Sequence, residues 1–128
     1  MSFFFVLLHN DSGSFGRLTH KKRRNMLVFN TTYRVLNADA RNFVIWVHQR
    51  FIPAATEDGV LVNARLTRIL THNEEESECF ALQFDVEDST VLHRWYTRVG
   101  DGLRKEMQKM FDERVTEFST LMEIITGE

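Results

Sequence analysis

Leu27-Val28-Phe29-Asn30-Thr31-Thr32-Tyr33-Arg34-Val35 alternates. Leu27, Phe29, Thr31, Tyr33 and Val35 fall on one side; Asn30, Thr32 and Arg34 fall on the other. A period of two carried by β-branched and aromatic residues predicts a half-buried strand. The pattern then changes. Asn37 or Asp39 offers a short side-chain acceptor for the free N–H groups of a helix start. Phe43, Val44, Val47 and Phe51 follow at helical spacing, with Ala40 and Trp46 beside them. Pro53 lacks an N–H and is expected to end or kink that helix, and Glu57-Asp58-Gly59 reads as a turn.

The rest of the chain repeats this grammar. Val60 to Thr71 contains a second strand, with Val62, Ala64, Leu66 and Leu70 on one parity and Asn63, Arg65, Thr67 and Ile69 on the other. His72-Asn73-Glu74-Glu75-Glu76-Ser77 is a polar connector of hairpin length. Cys79 to Asp85 alternates again, with Phe80, Leu82 and Phe84 inward. Asp88-Ser89 can cap a second helix, whose apolar face is Leu92, Trp95, Tyr96 and Val99. Gly100-Asp101-Gly102 is expected to interrupt it, because glycine costs about 1 kcal/mol in a helix interior. Helical spacing resumes with Leu103, Met107, Met110 and Phe111. Phe118 to Ile125 reads as the last strand, with Phe118, Thr120, Met122 and Ile124 on one parity.

The order is β-α-β-β-α-β. It predicts an α+β, ferredoxin-like fold: a four-stranded antiparallel sheet with two helices on one face. The other face is left to water or to another protein. Opposite parities place Val28, Asn30, Thr32, Arg34, Cys79, Ala81, Gln83, Asp85, Ser119, Leu121, Glu123 and Ile125 there. A fully solvated face would carry more Lys and Glu, and small residues let a second sheet approach. The expectation is a homodimer through the open sheet face, with Asn30, Thr32, Cys79, Ala81, Gln83 and Leu121 in the interface. The alternative is a monomer with a partly apolar exposed face.

Composition bounds the function. The chain has 128 residues, 43% of them hydrophobic and eleven of them Phe, enough for one core. The first 25 residues carry a charge of +4 and the remaining 103 carry −6. The acidic domain lacks the basic face that a phosphate backbone requires, so no nucleic-acid partner is expected. No apolar run reaches the ~20 residues of a membrane span, so no membrane partner is expected either. A single cysteine, Cys79, excludes an internal disulfide and a cysteine-rich zinc site, and fits a reducing, cytoplasmic location.

Residues 1–25 are expected to lie outside the domain that occupies 26–128. Met-Ser-Phe-Phe-Phe-Val-Leu-Leu precedes its cations, the reverse of a secretory signal. The segment reads as a disordered extension or as a translated leader with Met26 as the natural start. Lys21-Lys22-Arg23-Arg24 could also serve as a tether, but nothing amphipathic accompanies it.

From Met26 on, the chain resembles a family of small bacterial proteins known as a domain of unknown function. The matching stretches are Tyr33-Arg34-Val35, Trp46 followed by Ile52-Pro53, Asn63 to Leu70, Ala81-Leu82-Gln83-Phe84, and Phe118 to Ile124. The resemblance implies a ferredoxin-like fold of dimeric α/β-barrel type. That family usually carries His immediately before the Ile-Pro pair. Phe51 stands there in this chain, so any chemistry of that histidine is expected to be missing.

No glycine-rich phosphate loop, HExxH pattern or serine elbow is present, and no catalytic residue, metal site or cofactor is assigned. The ligand-pocket candidates are Trp46, His48, Arg65, Arg68, Trp95 and Tyr96. The aromatics could line a slot for a flat apolar molecule, a histidine could move a proton, and an arginine could fork onto a carboxylate. Against each stands a plainer role: aromatic core, surface histidine (His93 included), cross-strand ion pair. His72 with Glu74-Glu75-Glu76 reads as a solvated loop before it reads as a metal site. Cys79 reads as a small buried hydrophobe. The leading expectation is a small dimeric domain that binds a small apolar or acidic molecule. The alternatives are a cofactor-independent enzyme of monooxygenase or isomerase type, using a cavity between sheet and helices, and a protein-interaction module.

Overall fold

The computed structural model describes residues 26–127; the expectations for residues 1–25 lie outside the described residues. The elements follow as β1 (Leu27–Leu36), α1 (Asn37–Trp46), a π-helical turn (Val47–Phe51), α2 (Ile52–Thr56), β2 (Val62–Arg68) and β3 (Ser77–Val86). Then come α3 (Ser89–Trp95), a second π-helical turn (Tyr96–Gly100), α4 (Asp101–Phe111), a 3-10 turn (Asp112–Arg114) and β4 (Val115–Glu123). The sheet order is β2-β3-β1-β4, and each neighbouring pair is antiparallel. This is the expected βαββαβ arrangement.

Both helical segments run further than the sequence suggests, because each absorbs a helix breaker in a π turn. Backbone angles stay helical at every junction, so α1, the first π turn and α2 form one rod, and α3, the second π turn and α4 form another. Pro53 does not end its rod. It falls in the first turn of α2, directly after the π turn, where its missing N–H costs no bond. Gly100 closes the second π turn instead of interrupting the helix. A Cβ there would lie 2.4 Å from Cζ3 of Trp95, so the indole lies across a position that only glycine can occupy without a shift.

The two rod starts differ. Asp88 caps α3, its carboxylate accepting from the Val91 N–H at 2.9 Å. Asp88→Ala is expected to cost about 1 kcal/mol, read as a lowered urea midpoint with an unchanged slope. Neither Asn37 nor Asp39 caps α1. Leu36 holds the cap position, and no side chain fills the role. Asn37 is already helical; its side chain donates to the Glu75 carbonyl at 2.6 Å and its N–H to Glu76 at 3.0 Å. The rod start is thereby tied to the β2–β3 connector.

The rods cover one face of the sheet. Phe43, Val47, Phe51 and Ala55 from the first rod meet Leu92, Trp95, Leu103, Met107 and Phe111 from the second, above Phe29, Tyr33, Phe80, Leu82 and Phe84. Trp95 links both rods and the sheet. It is 2% exposed, donates its indole N–H to the Ala55 carbonyl at 2.9 Å, and meets Phe29 edge-on at 6.2 Å.

Two strand faces differ from the sequence reading. In β2, Asn63 adopts a left-handed conformation (φ 56°) inside a bulge between Val62 and Arg65. Val62 therefore pairs with Asp85 on the open side, away from Ala64 and Leu66, and Leu61 is buried in the core. Leu70 lies beyond the strand and is 85% exposed. In β4 the parity is reversed. Thr31 pairs with Ser119 and Thr32 with Phe118, so Glu117, Ser119 and Leu121 face the helices while Phe118, Thr120 and Met122 face outward. The apolar residues of β4 are not its inner residues, because the inner side of this edge strand borders a polar cleft.

Candidate functional site

The helix-facing side of the sheet is chemically divided. On β3 it presents Phe80, Leu82 and Phe84; on β1 and β4 it presents Thr31, Tyr33, Glu117 and Ser119. Polar groups placed under helices lose water and stabilise the fold only when hydrogen-bonded. Thr31 and Ser119 satisfy one another through a buried hydroxyl pair at 2.9 Å. Tyr33 and Glu117 are direct cross-strand partners. Packing alone does not require this quartet, since the neighbouring strand fills the same layer with apolar side chains.

A cleft opens over the quartet, between the free edge of the sheet and the second rod. Phe29, Phe51, Trp95 and Tyr96 supply its aromatic walls, Arg104 and Gly100 face it from the rod, and the edge strand borders it at Phe118. Phe51 ends the first π turn, while Tyr96 and Gly100 bound the second. Both π turns thus border one cleft, a placement frequent at functional sites. Its volume is about 60 Å³. That exceeds the ~10–15 Å³ one water needs and falls short of the roughly 150 Å³ of a cavity that takes up benzene. The cleft therefore admits the end group of a molecule whose remainder lies outside.

Its polar groups are coupled. Arg104 Nε donates to the Tyr96 hydroxyl at 3.0 Å, and Tyr96 donates to Asp101 at 3.2 Å. Lys105 reaches the same carboxylate at 3.0 Å, and that contact leads the causes holding the Asp101 carboxyl below its ordinary range. Burial, and then the charge of Glu117, push the Tyr33 phenol well above its ordinary value, so it remains a neutral donor. Burial also raises Tyr96, against the pull of Arg104. Glu117 lies at the mouth. The residue is exposed overall, and desolvation is the largest influence on its carboxyl. That desolvation raises it further than the Arg104 guanidinium lowers it.

Of the six pocket candidates, the fold brings Trp95 and Tyr96 to the cleft and places the other four elsewhere. Trp46 packs against Phe51 and Phe111. His48 is exposed on the first π turn, and His93 is exposed on α3. Arg65 bonds Gln83 on the open face at 2.8 Å. Arg68 stacks over the Phe80 ring at 5.3 Å and pairs with Glu78 at 2.9 Å. The sequence reading missed Tyr33, Arg104, Glu117 and Ser119. The one available signal was Thr31, a polar residue on the inward parity of β1.

The remaining chemistry is accounted for locally. Glu74 accepts from Ser77 and from Arg34, each at 2.6 Å, while the His72 Nε2 lies 2.9 Å from the Ser77 hydroxyl. This closes the β2–β3 connector, and among the described residues no cluster of His, Cys, Asp or Glu could hold a metal ion. Burial and Glu74 raise the Cys79 thiol, which keeps it protonated. No described helix is long and apolar enough to cross a membrane.

On the open face lie Asn30, Thr32, Cys79, Ala81 and Gln83, joined by Phe118 and Met122. Leu121, expected there, instead packs against the core beneath the helices. The polar members are hydrogen-bonded in a track: Arg65 to Gln83 at 2.8 Å, Gln83 to Asn30 at 3.2 Å, Asn30 to Thr32 at 3.3 Å.

Residues 26–125 match the family described as a domain of unknown function, DUF4286. Among solved structures, the fold is similar to a dimeric ferredoxin-like protein from an uncultured marine organism. The TM-score is 0.60 over 81% of this chain and 99% of that one, at 13% identity. No curated protein matches the sequence.

Proposed function

The chain belongs to the DUF4286 family, a domain of unknown function, and from that premise we propose a homodimeric domain that binds a small molecule in the cleft beside β4. The observation that carries the binding half is the quartet of Thr31, Tyr33, Glu117 and Ser119 on the covered side of β1 and β4. Hydroxyls, a carboxyl and the Arg104 guanidinium converge on one aromatic-walled opening, the composition expected of a ligand site. Donors and acceptors are both present, and the opening is narrow. The ligand class is therefore a small molecule entering by a polar end group, such as a carbonyl, hydroxyl or amide.

The dimer half rests on the open face. Phe118 is 56% exposed and Met122 is 40% exposed, beside small residues and a polar track already hydrogen-bonded within the sheet. A second copy can cover such a face without orphaning those groups. The similar ferredoxin-like protein is itself described as dimeric, which supports the reading. A cytoplasmic location is part of the same proposal.

Native mass spectrometry of the full chain tests both halves. The expected spectrum shows twice the 15.1 kDa chain mass, with a bound small molecule released on denaturation and absent from a variant with the cleft filled, Ser119→Phe. A ligand retained equally by Ser119→Phe would overturn the site.

A further inference from the structure

Resting on that reading of the cleft, we propose that it is a proton-transfer site for a small carbonyl compound. The Glu117 carboxylate takes a proton from the carbon next to the carbonyl, and the Tyr33 hydroxyl and the Arg104 guanidinium donate hydrogen bonds to the oxygen. The bookkeeping of the step is closed. The C–H bond breaks, its proton moves to Glu117, and its electron pair moves through the carbon framework to the carbonyl oxygen as an enolate. Return of the proton to the same carbon gives exchange; return to a neighbouring carbon gives an isomer. No oxidant, reductant or metal ion takes part.

The roles follow from position. Glu117 and Tyr33 are paired across β4 and β1, so base and donor project side by side from the floor. Arg104 faces them from the opposite wall. Its Nε is engaged by Tyr96, which orients the fork and leaves the remaining guanidinium N–H groups for the cleft and for Asp101, 3.6 Å away. A neutral phenol and a fixed cation facing one opening resemble the preorganised donors that stabilise a developing oxyanion.

Protonation supports the assignment. A general base works best with a pKa moved toward the operating pH, and burial moves Glu117 that way. The charged and titratable groups around it are Arg104 and Tyr96, with Asp101 and Lys105 behind them, on the second rod; Asp112 and Glu113 on the 3-10 turn bordering the adjoining groove; and Tyr33 on β1. From the first rod the cleft receives only Phe51 among the described residues, which does not titrate. A carboxyl raised in the folded state lowers stability as pH rises through its folded value. Glu117→Gln is thus expected to melt no lower than the parent at neutral pH, which separates loss of the base from loss of the fold.

Deuterium incorporation into acetone and pyruvate, followed by proton NMR in D₂O with the full chain, tests the proposal. The expected result is exchange at least about 100-fold faster than in buffer, rising with pH through a pKa above the usual carboxylate range. Glu117→Gln is expected to abolish it and Glu117→Asp to restore part of it. Exchange no faster than buffer for both probes, or equal exchange by Glu117→Gln, would overturn the proposal. Amide shifts at Gly100 and Ser119 on adding either probe, without exchange, would overturn proton transfer and leave the binding reading intact.

Discussion

Trp95→Ala is expected to lower stability by about 4 kcal/mol, which for a domain of this size is a fall in Tm of about 20 °C. The indole is 2% exposed and spans both rods and the sheet. Its removal leaves a cavity at the junction and deprives the Ala55 carbonyl of its partner. Trp95→Phe separates the two contributions, keeping most of the packing and losing the 2.9 Å hydrogen bond; about 1–2 kcal/mol is expected. Gly100→Ala probes the same contact from the other side. Its new methyl would lie 2.4 Å from Cζ3 and 2.8 Å from Cη2 of Trp95, a crowding that costs about 1–3 kcal/mol. Phenylalanine lacks both of those indole atoms. The double variant is therefore expected to be more stable than the sum of the two single losses by about 1 kcal/mol or more. Urea unfolding of the four proteins measures the cycle, and strict additivity would show that the indole does not lie across Gly100.

The same contact shows where sequence reasoning reaches and where it stops. Periodicity located both rods and placed Trp95 in the core, because each α-helical segment keeps its own spacing near 3.6. It read Pro53 and Gly100 as breaks because it had no means of seeing a π turn. One extra residue in each rod absorbs the missing N–H in one case and the close ring in the other, and neither leaves a mark in a hydrophobic pattern. β1 and β3 were legible in full, since each has neighbours on both sides and an inner row that is apolar throughout in β3 and carries Thr31 and Tyr33 among apolar residues in β1. β4 was misread for the opposite reason. It is an edge strand whose inner row holds Glu117 and Ser119 beside a cleft, while Phe118 and Met122 point outward. Where an element borders a site and an open face, apolar residues no longer mark the inside. Two of the four missed cleft residues, Glu117 and Ser119, and the reversed strand are therefore one error, and it coincides with the region that carries the proposed chemistry. Arg104 was hidden more simply, because only the register of the second π turn decides that it faces β1 and not solvent.

Ala81→Arg is expected to convert the protein from dimer to monomer, raising the dimer dissociation constant by about 1,000-fold or more. Ala81 lies in the middle of the open face, paired with Thr32 on β1 and with Thr67 on β2. Small side chains there set how closely a second sheet can approach, and two sheets packed face to face lie only about 10 Å apart. An arginine at each copy's centre would hold the faces apart and bury two like charges opposite one another, which costs several kcal/mol. The free chain should tolerate the change, since the long side chain can lie along the sheet with its guanidinium in water. Stability measured in dilute solution should consequently fall by no more than about 1 kcal/mol relative to a monomeric reference. Leu70→Arg provides the control: it alters a side chain 85% exposed at the β2–β3 connector, away from the face, and is expected to leave the dimer unchanged. Sedimentation equilibrium at micromolar concentration distinguishes the outcomes. A parent of twice 15.1 kDa beside a single-chain Ala81→Arg fits pairing through the sheet. If Ala81→Arg stays dimeric, the copies meet elsewhere, and the exposed Phe118 and Met122 need another explanation. A parent that is already monomeric would remove the second subunit from the proposal and leave the cleft to act alone.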